Sequence, residues 1–597
     1  MTAVAFLLGL ATSAGAQEIL PLGQVVPGMK GYGLTVMDGE RAERFEVEVL
    51  GVVPGLTPGR SVILVRASGL GLEKSGIVAG MSGSPVYLDG RLAGALSSGF
   101  AFSKEPIGGV TPIEPMLAID GPAVAPGGDR SAGLPRSGAL LEALAGEGDD
   151  RLPLLRRRFE EMQALLPAPA ASLLAPSWSG FPAEALLRGA PVLARLGIGT
   201  AAAAAGLSGG APTVTPATAP PLSAGAAITA LLVDGDLQLG VTGTVTRVGP
   251  DGRFLAFGHP FLGFGEIALP VAPARVVTVV PSVYQSFKVG YAVAPPSWRL
   301  TKDRDTGVAG RTDAAAPMVP VRFRFRSGTA SRELTWRLAP HPRLLPSLLS
   351  LSTDAALTTS DPTSRERTLR FRISFQTAAG SFSWEDLVSG PRARETAILS
   401  AAVLAGLLSD NEFEDPKISA LTIDVSSEEG ERRLRILDAA LASRKVAPGA
   451  DVVASVRLAD RRGGETAQVL RVRVPKELPD GRATLVIGDG NVLSGVRITL
   501  NPGEPRTLAD LRRWLERIVP GDRLGAAIVV PGRGAATGSD ALSALPPTAA
   551  ALLSEGERGE GPRGSLGSRI VAEEIVVLDR PVAGSIRLEF DVERPRS

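Results

Sequence analysis

Apolar and polar positions change their rhythm several times along the chain, and each change marks a unit. From Gln17 to about Pro122 the rhythm is that of short strands. Phe45-Glu46-Val47-Glu48-Val49-Leu50 alternates, Val62-Ile63-Leu64-Val65 is a continuous apolar run, and Gly and Pro punctuate the intervals. Between about 123 and 222 the rhythm turns helical. Asp150 can cap a helix with Pro153 in its first turn, and Leu155, Phe159, Met162 and Leu166 fall on one face. Ala201–Ala205 and Gly209–Pro221 are low in complexity and read as linker. Strands return from 223 to about 390, where Gly243–Val248 and Arg253–Phe257 flank the turn signal Pro250-Asp251-Gly252.

Past Phe382 the pattern predicts a buried helix over about Arg392–Leu408. Leu434 and Ile436, Val456 and Leu458, and Leu470, Val472 and Val474 then alternate with polar residues. Turns at Pro448-Gly449, Gly463-Gly464 and Pro479-Asp480-Gly481 space these strands as in a small immunoglobulin-like sandwich over 413–500. The region 501–597 opens with Thr507 capping a helix whose Leu508, Leu511, Leu515 and Ile518 share a face, and it reads as a small α/β unit. The expected architecture is therefore mainly β: two barrel halves separated by a helical and low-complexity insert, then the sandwich and the α/β region.

Composition narrows the chemistry. Among 597 residues there is no cysteine, which excludes disulfides, thiolate metal sites and cysteine catalysis, and only two histidines, His259 and His341, which excludes a histidine-rich metal site. No cofactor is expected. With 63 basic against 62 acidic residues, nothing points to nucleic acid or an anionic membrane surface. Val4–Ala11 followed by Ala14-Gly15-Ala16 has the form of a secretory signal over 1–16, predicting an exported protein, periplasmic or secreted. No other run reaches the ~18 apolar residues of a membrane span.

The string Gly80-Met81-Ser82-Gly83-Ser84-Pro85 carries the strongest chemical signal. A serine between glycines, closed by a proline, stands at the apex of a sharp turn, and the Gly80 and Ser82 amides can point the same way to form an oxyanion hole. Asp89-Gly90 after it is a type I′ hairpin signal. The string resembles the nucleophile region of trypsin-like serine peptidases. With Gly76-Ile77-Val78-Ala79 before it, and with Met29-Lys30-Gly31-Tyr32-Gly33 and Gly109-Val110-Thr111-Pro112-Ile113, it resembles the SpoIVB peptidase family. The segment around Gly258-His259-Pro260 is similar to the histidine-bearing half of that family.

The resemblance implies Ser82 as nucleophile and a protein or peptide as substrate. A serine needs a base, and His259, closing a strand between Gly258 and Pro260, is the better of the two histidines. His341, between Pro340 and Pro342, reads as an exposed loop residue. Asp303, with Asp305 second, is the expected orienting acid; a Ser–His dyad would need neither. Here the serine precedes the histidine, the reverse of the order in trypsin-like peptidases and SpoIVB, and the SpoIVB PDZ module is not evident. The leading expectation is a serine endopeptidase. The alternative is a non-catalytic cell-envelope binding scaffold built on a peptidase-like double barrel.

Overall fold

A computed structural model describes residues 18–57, 60–120, 143–144, 151–167, 174–199, 221–362, 366–411, 413–500, 505, 507–537, 540–542, 546, 548 and 565–595. The expected signal segment, most of the linker 201–221 and the Gly-rich stretch near 556–567 lie largely or wholly outside these residues.

The first strands are β1 (Lys30–Thr35), β2 (Glu43–Thr57), β3 (Arg60–Ser68), β4 (Pro85–Leu88), β5 (Arg91–Gly99) and β6 (Ile107–Pro112). They close into a barrel in the order β1-β2-β3-β6-β5-β4. Alternation explains how it fills: Phe45, Val47 and Val49 of β2 point inward and pack with Ile63, Val65 and Leu96. The β4–β5 turn is the two-residue hairpin that Asp89-Gly90 predicts, with φ of +49° and +76° and Leu88 opposite Arg91.

A second closed barrel follows. Its strands are β8 (Ala227–Gly235), β9 (Gln238–Val248), β10 (Arg253–Ala256), β11 (Gly265–Val280), β13 (Trp298–Arg304) and β14 (Gly307–Arg311). The pairings β8-β9-β10-β14-β13-β11 return to β8 through Val271 opposite Ala230. β12 (Phe287–Ala292) extends β11 beyond the barrel, and β7 (Ala175–Ser179), contributed by the insert, pairs with β9. Two six-stranded barrels packed together match the expected trypsin-like double barrel. Tyr87, Leu92 and Ala95 of the first meet Leu255 and Ala309 of the second in a shared apolar cluster.

The second barrel continues through β8 into β15 (Val319–Ser327), β16 (Ala330–Leu338), β17 (Arg367–Thr377), β18 (Gly380–Gly390) and β19 (Ala420–Glu429), in the order β16-β15-β19-β17-β18. Val321, Phe323 and Phe325 alternate with arginines, so one face is apolar, and helices Leu345–Ser360 and Ala393–Ser409 join its core. Helix Arg151–Ala164 of the insert buries Leu155 and Phe159 in the same core, on the face that the spacing predicts. No helix among the described residues is long and apolar enough to cross a membrane.

The strands over 413–500 do not close a sandwich on their own. β19 belongs to the preceding sheet. Leu434–Leu441, Asp451–Ala459 and Glu465–Arg473 form a sheet that Val582–Ala583 joins. Gly481–Asp489 lies between Arg523–Thr537 and Ser585–Val592 in a second sheet. Both sheets share one core, in which Val456 and Val472 pack with Leu485, Ile528 and Phe590. Thr507 caps helix Leu508–Leu515 through the Asp510 amide at 3.1 Å.

Candidate active site

The loop that carries Ser82 is held from both barrels. Gly80 and Gly83 have φ of +96° and +92°, a region costly for residues with a Cβ. Within the first barrel Met81 N donates to Val78 O (3.0 Å), Ser84 N to Met81 O (2.9 Å) and Gly83 N to Leu96 O (2.7 Å). The second barrel takes the carbonyls: Thr244 N donates to Ser82 O (2.8 Å), Thr244 Oγ1 to Gly80 O (2.9 Å) and Thr246 Oγ1 to Gly83 O (2.8 Å). The approach is so close that a methyl group on Gly83 would stand 1.9 Å from Thr244 O and 2.4 Å from Phe257 N. The Gly80 and Ser82 amides have no hydrogen-bond acceptor among the described residues. An oxyanion hole needs two such unspent donors.

His259 follows an abrupt end to β10. Phe257 and Gly258 both have positive φ, +66° and +69°, and Phe257 is fully buried, an uncommon conformation for a bulky residue. Thr111 Oγ1 of the first barrel donates to Gly258 O at 2.6 Å. A methyl group on Gly258 would lie 3.3 Å from Leu96 O, the same oxygen that accepts from Gly83. The Leu96 main chain thus lies between the serine loop and the histidine loop.

His259 Nδ1 is 2.7 Å from Pro260 O. A carbonyl only accepts, so Nδ1 carries the hydrogen and Nε2 keeps its lone pair. Burial pushes this imidazole down to about 4, against the upward pull of the Pro260 carbonyl. At neutral pH it is therefore an uncharged acceptor at Nε2. Neither Ser82 Oγ nor His259 Nε2 has a hydrogen-bond partner among the described residues, and both atoms are shut off from solvent there. The two loops are brought together, but the Ser82–His259 hydrogen bond is not formed in this state.

Asp303 makes no hydrogen bond to the imidazole. Its carboxylate accepts the amides of Phe261 (2.7 Å), Leu262 (2.7 Å), Gly263 (2.6 Å) and Phe264 (3.4 Å), so it holds the loop after His259. Burial raises its pKa while the four amides pull it back. The place expected for Asp303 at the far ring nitrogen is taken by the Pro260 carbonyl, because the chain turns back at once after His259. Asp305 is exposed and pairs with Arg60 of the first barrel at 2.5 Å. His341, expected in an exposed loop, is half-buried, its ring tilted 37° against Phe264 with the ring centroids 4.0 Å apart.

Residues 17–117 match the SpoIVB peptidase S55 family. The matched segment covers the first barrel with the Gly80–Pro85 loop and stops short of His259. No curated protein and no solved structure matches the chain. The SpoIVB-like segment therefore supplies the serine loop, and the histidine loop is placed by geometry alone.

One further side chain at this loop is not legible in the sequence. Lys288 of β12 is fully buried, with Nζ 2.8 Å from Thr35 Oγ1 and 3.0 Å from Gly80 O. A lysine in a short strand reads as solvent-facing by default. Only the run Ser286-Phe287-Lys288-Val289, whose apolar residues flank the lysine, hints otherwise.

Proposed function

We propose that the chain is an exported serine endopeptidase of the SpoIVB type, with Ser82 as nucleophile and His259 as base. One observation carries this reading. Across the contact between the two barrels, two unspent amides flank a serine on one side, and on the other an imidazole is fixed with its lone pair at Nε2. Ser82 Oγ attacks the peptide carbonyl as Nε2 takes its proton, and the Gly80 and Ser82 amides receive the oxyanion. The imidazolium then protonates the leaving amine, and a water, activated at the same nitrogen, releases the acyl group and restores Ser82. In this proposal Asp303 positions the 261–264 loop, and the Pro260 carbonyl orients the ring in place of a carboxylate.

The burial of Ser82 Oγ and His259 Nε2 favours a second reading, a binding scaffold with an idle site. On the enzyme reading the loops must part slightly to admit substrate and close the missing hydrogen bond. A fluorophosphonate, which reacts only with an activated serine, separates the two. Covalent labelling that disappears in Ser82→Ala and falls at least ~100-fold in His259→Ala supports the peptidase. Absence of labelling at every pH in a folded protein supports the scaffold.

A further inference from the structure

Lys288 is a fully buried amine with no counter-ion among the described residues. Its main chain is fixed against the serine loop: Ala79 N donates to Ser286 O (2.8 Å) and Lys288 N to Ala79 O (3.0 Å). Its aliphatic stem runs beneath Gly80, where an added methyl group would stand 3.0 Å from Lys288 Cδ and 3.0 Å from Ala175 Cβ. No carboxylate pairs with its ammonium among the described residues. An uncompensated charge in a dry interior destabilises the fold, and such groups cluster at functional sites.

The atoms it touches give the group a task. The Gly80 carbonyl accepts from Lys288 Nζ (3.0 Å) and from Thr244 Oγ1 (2.9 Å), while the Met81 amide of the same peptide donates to Val78 O (3.0 Å). That peptide links the two that bear the free Gly80 and Ser82 amides. Its two flanking torsions, ψ of Gly80 and φ of Met81, set how those donors lie relative to one another, so anchoring it holds the pair in register.

We propose that Lys288 is a positioning residue of the Ser82 site, gripping the Gly80 carbonyl together with Thr244 so that the Gly80 and Ser82 amides stay aimed at a reacting carbonyl oxygen. This inference rests on the serine peptidase reading and adds a control of that site by protonation. A charged donor holds a carbonyl more strongly than a neutral one. Burial alone pushes the Lys288 ammonium down to about 7. Around it β1 brings Thr35, β7 brings Ala175 and β11 brings Val279, none of them charged. The ionisable residues of β11 are engaged elsewhere, Glu266 with Lys302 and Arg275 with Glu40, and Lys30 of β1 is exposed. The grip is therefore strongest with Lys288 protonated and weakens as pH rises through about 7. Because His259 must be neutral, the rate rises through about 4, giving a window bounded by the two groups.

The test is the rate of fluorophosphonate labelling of the full chain from pH 4 to 9, in wild type, Lys288→Met and Thr244→Val. Lys288→Met keeps the length of the stem and removes a buried charge, so it is expected to melt no lower than wild type. Its maximal labelling rate should fall about 10–100-fold with unchanged probe affinity, less than the 10²–10³ typical of deleting an oxyanion donor. The falling limb near pH 7 should vanish from its profile. Thr244→Val keeps the hydrogen bond that the backbone amide of residue 244 donates to Ser82 O and should lower the rate in the same way, which settles the matter if Lys288→Met fails to fold. Wild-type rate and profile in Lys288→Met, or in Thr244→Val where Lys288→Met does not fold, overturn the inference and leave the peptidase reading standing. A wild type that does not label, or a Ser82→Ala variant that labels equally, overturns both.

Discussion

Gly83→Ala tests the contact between the barrels without reference to catalysis. Two costs can be worked from the structure. The residue has φ +92°, where a Cβ costs about 1–2 kcal/mol. The new methyl would also stand 1.9 Å from Thr244 O, so the serine loop and β9 must separate. That separation breaks the hydrogen bonds from Thr246 Oγ1 to Gly83 O and from Thr244 N to Ser82 O, at about 1 kcal/mol each. The expected loss is about 3–4 kcal/mol. Gly90→Ala is the matched control: its φ is +76°, but nothing lies within 4 Å of the added methyl, so only the strain of about 1–2 kcal/mol applies. Amide hydrogen exchange of peptides spanning β9, read by mass spectrometry, reports the opening. It should accelerate at least ~10-fold more in Gly83→Ala than in Gly90→Ala, since each 1.4 kcal/mol is a factor of ten. Equal acceleration in the two variants would refute the claim that main-chain contact at Gly83 docks the barrels.

Asp303→Asn should keep labelling by a fluorophosphonate within about tenfold of wild type, whereas losing a triad carboxylate costs about 10⁴; a loss of that size would return Asp303 to the imidazole. Asp303→Ala strips four amides of their acceptor and should lower stability by about 3 kcal/mol or more, measured by urea unfolding. The imidazole of His259 falls from an ordinary 6.5 to about 4 on folding, so its contribution is fully present above 6.5 and is lost as pH drops towards 4. The loss is about 3 kcal/mol, and His259→Asn should flatten the stability–pH curve over that window; an unchanged slope would show that the ring is not desolvated. A fragment of residues 413–500 should fail to fold cooperatively, as followed by circular dichroism; a cooperative fragment would contradict the shared sheets.

The parts of the site readable in the sequence are those where the backbone itself is the constraint. Gly80, Gly83 and the Asp89-Gly90 turn announce positive φ and close approach, and the structure has both. His259 stands out in the sequence because only two histidines exist and one closes a strand. The role of Asp303 was not readable: an acid that accepts an imidazole N–H and one that accepts four loop amides look alike as a letter. Lys288 was hidden for a related reason, since charge predicts exposure unless the strand is known to cross another loop. The strands over 413–500 have the right alternation, but alternation says which face is buried and not which segment covers it; Val582–Ala583 and Ser585–Val592 do so from far along the chain, Val582 opposite Leu434 and Ser585 opposite Gly488. β7, five residues that include a proline, falls in a segment whose rhythm reads as helical insert and yet forms a strand that sets Ala175 against Gly80.

The Pro260 carbonyl that fixes the His259 ring has a consequence for speed. A carboxylate in that place would neutralise the imidazolium that forms when the serine proton moves; a carbonyl offers only a dipole. In a site closed to water, the new cation is then stabilised weakly, and the neutral ground state is favoured. Proton transfer becomes easy only when something else supplies negative charge or polarity, such as the oxyanion forming beside it or water let in by an opening cleft. Such a serine is quiet towards chance encounters and responds to a substrate that fits well enough to assemble the charge pair in one motion. On the peptidase reading, such a site suits a processing enzyme better than a digestive one.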